Sequence, residues 1–356
     1  MKIVRIAAVA LLATAASCVK VSVNAESREP NAESRTVAAS PGESHLTNIR
    51  QLTYGGENAE SYFSPDGQWL IFQSTRDGRT CDQQYVMRTD GSGLRRVSAG
   101  TGKTTCGYFI EGGRRIVYAS THAADTACPP RPDPSQGYVW RLDPFDLFTA
   151  NADGTDRNRL TNYGVYTAEA TLSPDGRTLV FTSMKDDDLE IYTMNVDGSN
   201  IRRLTHTPGY DGGAFFSPDG KHIVYRANHP VGEELANYRS LLSQGLVRPG
   251  RMELFIMDAD GSNQRQITNL GGANFAPIFT PDAKRIIFSS NHRNPRSRNF
   301  DLFLVNLDGT GLEQATTHGE FDGFPMFSPD GKSLVWASNR NAPEPNGTDI
   351  FLADWK

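Results

Sequence analysis

Basic residues are not in excess in this chain: 36 Lys and Arg stand against 41 Asp and Glu, giving a formal charge of −5 and a pI near 5.8. A partner gripped mainly through its phosphates needs a concentrated basic surface, which excludes nucleic acid as the main ligand. Long apolar runs are also missing. The stretch Ile6 to Ala16 is too short to span a bilayer unaided. No Gly-x-Ser-x-Gly elbow occurs, so a fused hydrolase domain built on one is excluded. His-Glu-x-x-His and phosphate-binding loops are absent as well. Cysteine is scarce, with four residues, and the spacing of Cys81, Cys106, His122 and Cys128 matches no compact zinc motif.

Lys2 and Arg5 followed by the apolar run have the layout of a secretory signal over residues 1–25. Two processing sites compete. Ala15-Ala16-Ser17-Cys18 resembles a lipoprotein box that would be cut after residue 17 and leave Cys18 as the lipidated residue. Val23-Asn24-Ala25 fits ordinary cleavage. Either way the expected product is exported, and periplasmic or held at the membrane by a lipid. Residues 26–48 are polar, rich in Ser, Glu and Asn, and read as a flexible tether.

Two turn signals recur through the remainder, residues 49–356. The first is Ser64-Pro65-Asp66-Gly67, with counterparts starting at Ile110, Ser173, Ser217, Thr280 and Ser328. The second is Asp-Gly at Asp90, Asp153, Asp197, Asp260 and Asp308. Pro presets φ for the corner of the first turn and Gly accepts the positive φ that reverses the chain; Asp-Gly between β-rich runs is a strong hairpin signal. Each unit reads as four strands, and a period of roughly 40 to 50 residues points to a propeller or solenoid. The last unit stops at Asp349-Ile350-Phe351-Leu352 with no fourth strand, while Ile49 to Thr53 copies Arg202 to Thr205 at the other end. A split unit is what a closed ring requires, and closure removes an exposed sheet edge. The expected fold is an all-β, six-bladed β-propeller of four-stranded blades, closed by the N-terminal strand pairing into the last blade.

These paired Ser-Pro-Asp-Gly and Asp-Gly turns resemble the WD40-like propeller repeat of the TolB family, over residues 49–356. The resemblance implies a periplasmic propeller that binds other proteins. The chain departs from that family in having only the short polar segment where TolB carries an N-terminal α/β domain.

Strand direction sorts the loops onto two rims. The turns lie on one; the opposite rim receives the insertions Thr121 to Pro144, Asn228 to Met252, Asn291 to Phe300 and Asn339 to Thr348. Variable loops on a rigid scaffold usually carry binding. His206, His292 and His318 fall on this rim, as do Arg293 and Arg340, which could grip a carboxylate. Where each innermost strand begins stand Asn58, Thr104, Thr167, Asp211, Asn274 and Asp322, followed two residues later by Glu60, Cys106, Glu169, Gly213, Ala276 and Phe324. A strand period of two puts both sets on one side. They are therefore expected to line an acidic funnel, either filled by water, or holding a polar ligand or a cation such as Ca²⁺ with Asp211 and Asp322 as ligands. In an exported chain, two of Cys81, Cys106 and Cys128 are expected to form a disulfide, the alternative being a zinc site with His122. Leu235, Tyr238, Leu241 and Leu242 at helical spacing predict a helix within residues 231–247, as rim packing or as a lid.

The leading expectation is a monomeric, non-catalytic propeller that binds an envelope protein or a polar ligand through the insertion rim and funnel. The alternative, by similarity to polysaccharide lyases that resemble TolB-type propellers, is a metal-dependent lyase or hydrolase using His206, His292 or His318 with Asp211 and Asp322. It requires at least three of those side chains to converge.

Overall fold

The computed structural model describes residues 34–133, 135, 137–342 and 347–356. The expected signal segment, both candidate cleavage sites, Cys18 and residues 26–33 lie outside the described residues.

Six antiparallel sheets form the blades, in the order the repeats predict. Their innermost strands are Glu57–Phe63, Thr104–Ile110, Thr167–Leu172, Tyr210–Phe216, Asn274–Phe279 and Asp322–Phe327. The ring closes as expected: Leu46–Gln51 is laid against Asp349–Trp355 of blade 6, with Leu46 opposite Trp355 and Gln51 opposite Phe351. Leu52 N donates to Ile350 O at 2.8 Å. Blade 6 also gains a short fifth strand, Arg35–Thr36, paired to Arg50 and Gln51.

Local chemistry explains why the turns repeat. In the first blade Ser64 Oγ donates to Asp66 Oδ1 and accepts from Trp69 N at 2.9 Å, so one hydroxyl ties the turn to the strand it launches. Ser173, Ser217, Thr280 and Ser328 repeat both bonds. In the Asp-Gly turns the Asp side chain accepts a backbone N–H two residues on, as Asp197 does from Ser199 at 2.9 Å.

A second repeated device ties the fourth strand to the third in five of the blades. Thr161, Thr205, Thr268 and Thr53 each accept a third-strand N–H and donate to the acid that begins that strand: Asp146, Glu190, Glu253 and Asp349 respectively. Ser98 and Gln83 do the same in blade 1. Apolar faces of neighbouring blades fill the space between them, as where Leu70 and Phe72 of blade 1 share a buried cluster with Val335 and Ala337 of blade 6.

Residues 34–48 differ from the tether expected there. Glu43 is 4% exposed, and its carboxylate bonds Thr317 N and the Arg340 guanidinium. A polar composition was compatible with docking because the propeller offers a buried cation to meet it.

Candidate functional site

Every innermost strand carries a register shift shortly after its start, between residue pairs such as Ala59/Tyr62, Thr105/Tyr108 and Gly212/Phe215. At each shift one residue takes a positive φ: Glu60 (53°), Cys106 (51°), Glu169 (60°), Gly213 (61°), Ala276 (51°) and Phe324 (57°). A bulge of this kind breaks the two-residue alternation and re-aims a side chain. Hence the two expected rings part company. The first ring does not line the funnel: Asn58, Thr104, Thr167, Asp211, Asn274 and Asp322 are all 0% exposed. Ser74 donates to Asn58 at 2.8 Å and Ser290 to Asn274 at 2.6 Å, while Thr167 and Ser183 share a bond of 2.8 Å. These groups tie first strand to second. The acidic funnel is corrected accordingly, for of its four expected carboxylates only Glu60 and Glu169 belong to the bulge ring.

Polar groups gather on the side of blades 1 to 4. Arg226, from the second strand of blade 4, is ion-paired with Glu169 and donates to Tyr210 Oη at 2.6 Å. It fits because blade 4 has Gly at the bulge: a Cβ on Gly213 would lie 1.8 Å from Arg226 Nη1. Glu60 Oε2 is buried without a hydrogen-bond partner. Burial pushes the Glu60 carboxyl up to about 7; Cys106 and Arg226 oppose the shift and Glu169 adds to it. Burial, with Glu60 and Glu169 nearby, pushes the Cys106 thiol well up. Blades 5 and 6 supply the opposite chemistry, an aromatic cluster of Phe275, Phe300, Phe321 and Phe324 around Ala276.

Two residues past the bulges the channel is blocked. Tyr62 of blade 1 meets Tyr108 of blade 2, with ring centroids 5.5 Å apart, and Phe215 of blade 4 at 5.7 Å. Blades 1 and 4 are opposite in a ring of six, so this contact spans the axis and makes the funnel blind.

Insertions build the mouth. Trp140–Arg141 from blade 2 pairs with Leu246–Val247 from blade 4 as a small two-stranded sheet. Trp140 sits 5.3 Å from the Arg226 guanidinium and within 6.4 Å of the Tyr210 and Phe275 rings. The expected helix is present as Gly232–Leu242, with Tyr238 and Leu242 buried. Tyr238 Oη donates to Asp188 at 2.6 Å, which fastens the helix to the rim.

The remaining expected residues are dispersed. Asp211 is held by His229 at 3.0 Å, whose ring packs on Phe255. Asp322 accepts from Trp336 at 3.0 Å and from Arg340 at 2.9 Å. The two proposed cation ligands are thus each held by a partner of their own blade. Arg340, 2% exposed and bound to Glu43 and Asp322, is not free to grip a ligand carboxylate. His292 bonds Ser290 at 2.9 Å and packs on Phe303, where exposed Arg293 also lies at 5.6 Å. His206 is exposed and His318 half-buried. Among the described residues no three His, Cys, Asp or Glu side chains gather as a metal ion would need. Cys81 and Cys128 form the disulfide, which removes two of the four ligands of the zinc alternative and leaves Cys106 as a buried thiol.

Arg226, Trp140 and the Tyr62–Phe215 contact were not singled out by the sequence. Alignment of the second strands could have flagged the first: Arg226 stands where the other blades have Gln73, Ala119, Thr182, Ser289 and Ala337. No comparable signal marks Trp140.

The profile of the TolB beta propeller domain family matches residues 144–234 and 245–345, more than half the chain. No curated protein sequence matches. Among solved structures, a protein of Agrobacterium tumefaciens described as TolB superposes with a TM-score of 0.56 at 18% identity, covering 85% of this chain and 91% of that one. An oligogalacturonate lyase in complex with manganese gives 0.51 at 15% identity, covering 91% and 96%. A gluconolactonase of Xanthomonas campestris gives 0.57 at 13% identity, covering 91% and 95%. At such identities the likeness is one of fold.

Proposed function

The chain belongs to the TolB beta propeller domain family, and on that premise we propose that it is an exported, non-catalytic propeller that binds an envelope protein or a polar ligand at its insertion rim and funnel. The observation that carries this reading is the blind funnel itself. One wall presents Glu60, Glu169 and Arg226, the other presents Phe275, Phe321 and Phe324, and the mouth is built from insertions of two blades. A recess with an ionic side and an aromatic side suits a segment or small molecule that is polar at one end and apolar at the other. Export rests on the signal-like residues 1–25, with periplasmic release or anchoring through Cys18 as the two outcomes; the protein acts as a monomer. Among the described residues no helix is long and apolar enough to cross a membrane.

Pull-down from an envelope fraction tests the reading, with Trp140→Ala and Phe324→Ala as the comparison. Loss of the same captured species in both folded variants is the expected result; undiminished capture in both rules out the funnel as the binding site.

One observation favours a second reading, catalysis in the same funnel. Glu60, held up to about 7 beside the Glu169–Arg226 pair, is suited to proton transfer near neutral pH. A lyase or hydrolase reaction on an acidic sugar or a lactone would use Glu60 as the proton acceptor. Turnover of such substrates that is lost in Glu60→Gln would establish this reading over the first.

A further inference from the structure

A cavity of about 310 Å³ opens in blade 5, and its lining includes Arg293, Asn299, Asp301, Phe303, Gln314 and Thr317. None of its lining residues is among those named on the funnel wall, so the cavity is separate from that wall. Asp301 occupies the position that begins the third strand of every blade. In the other five blades that residue accepts a Thr or Ser hydroxyl from the fourth strand. In blade 5 Thr316 keeps its place, accepting from Leu302 N at 2.8 Å, but Asp301 Oδ1 is buried with no hydrogen-bond partner. Asp301 is 8% exposed. Asn299 Oδ1, in the same lining, is a second buried acceptor without a partner. Orphaned buried acceptors are rare in folded proteins, and two in one cavity call for a ligand that brings donors.

The surroundings narrow the donor. Arg293 in the lining, with Arg296 and Arg298 on the same loop, opposes a cation. Burial, with Asp322 nearby, pushes the Asp301 carboxyl up to about 6, which weakens its hold on a metal or ammonium group. Hydroxyl groups both donate and accept, and so match a lining that mixes unpaired oxygens with amide, hydroxyl and guanidinium donors. The volume is at the low end of the range for small-ligand pockets, about 300–1,000 Å³. We propose that this cavity is a second binding site, for a neutral hydroxyl-rich ligand about the size of one sugar ring, with Asp301 and Asn299 as its acceptors.

Titration calorimetry and saturation-transfer NMR on the whole protein test this, with D-glucose, D-galactose and myo-inositol as probes and calcium chloride and methylammonium in separate arms. The expected result is saturable binding of at least one polyol, weakened about tenfold or more by Asp301→Ala and by Asn299→Ala. Binding of none of the three polyols, polyol binding unchanged by both substitutions, or calcium or methylammonium binding that depends on Asp301 would each overturn the proposal. Thermal unfolding separates a ligand role from a structural one. Asp301→Ala is expected to be at least as stable as the parent, since it removes an unpaired buried group, and a marked loss of stability would also count against the proposal.

Discussion

Glu43 and Arg340 are separated by 297 positions in sequence, yet Arg340 Nη2 lies 2.9 Å from Glu43 Oε1, with both side chains almost fully buried. The same nitrogen is 2.9 Å from Asp322 Oδ2. One cation therefore joins the segment before the first blade to the innermost strand of the last.

Removing that cation is expected to cost more than removing either anion. Arg340→Ala leaves two carboxylates buried without their partner and should destabilise by about 3–5 kcal/mol. Glu43→Ala keeps the Arg340–Asp322 pair and should cost about 1.5–3 kcal/mol. Urea unfolding of both variants checks the order; equal losses would show that Asp322 contributes little.

Glu60 gives a pH signature. Its carboxyl is held up to about 7 in the fold, above the ordinary value of 4.5. The contribution to stability is therefore full below about pH 4.5 and lost as pH rises through about 7. Glu60→Gln stays neutral throughout. The variant should gain on the parent by on the order of 1–3 kcal/mol between pH 4.5 and 8, read from melting curves. Parallel curves would place the Glu60 carboxyl back in the usual range.

Cys81 and Cys128 close a loop across 47 positions, joining blade 1 to the long insertion of blade 2. Replacing both by Ser should lower stability by about 2–4 kcal/mol through the entropy returned to the unfolded chain. Cys106, buried and with its thiol pushed up, should resist a thiol reagent until the protein unfolds. Rapid labelling of Cys106 in the native state would show that the funnel opens.

Across the axis, Tyr62→Ala and Phe215→Ala should each cost about 3–5 kcal/mol, because neighbouring blades cannot collapse into the space left. The double variant should reveal a coupling of about 0.5–1.5 kcal/mol between the rings. Strict additivity would mean that the plug is made of independent contacts.

Much of the architecture was legible because the signals that build it are local. Ser217 and Asp219, two positions apart, bond each other within one turn, and Gly198 needs only its own φ of 86°. The candidate site was half legible. Glu60 and Glu169 were placed in the funnel, but so were Asp211 and Asp322. The two-residue alternation that paired them fails at a bulge, and a bulge in one strand is defined by its register against another.

By itself, then, the order of residues determined six four-stranded units and a ring closed by its two ends, since turn chemistry acts over a few neighbouring positions and a repeat split between the two ends can be read from the pattern alone. Tertiary structure alone decided which side chains reach the axis, that Tyr62 meets Phe215 across it, that Arg340 is occupied by Glu43, and that Asp301 lacks the hydroxyl its five counterparts hold. Each of these depends on how one strand is placed against another, within a blade or across the ring, and packing and desolvation act on that placement rather than on sequence spacing.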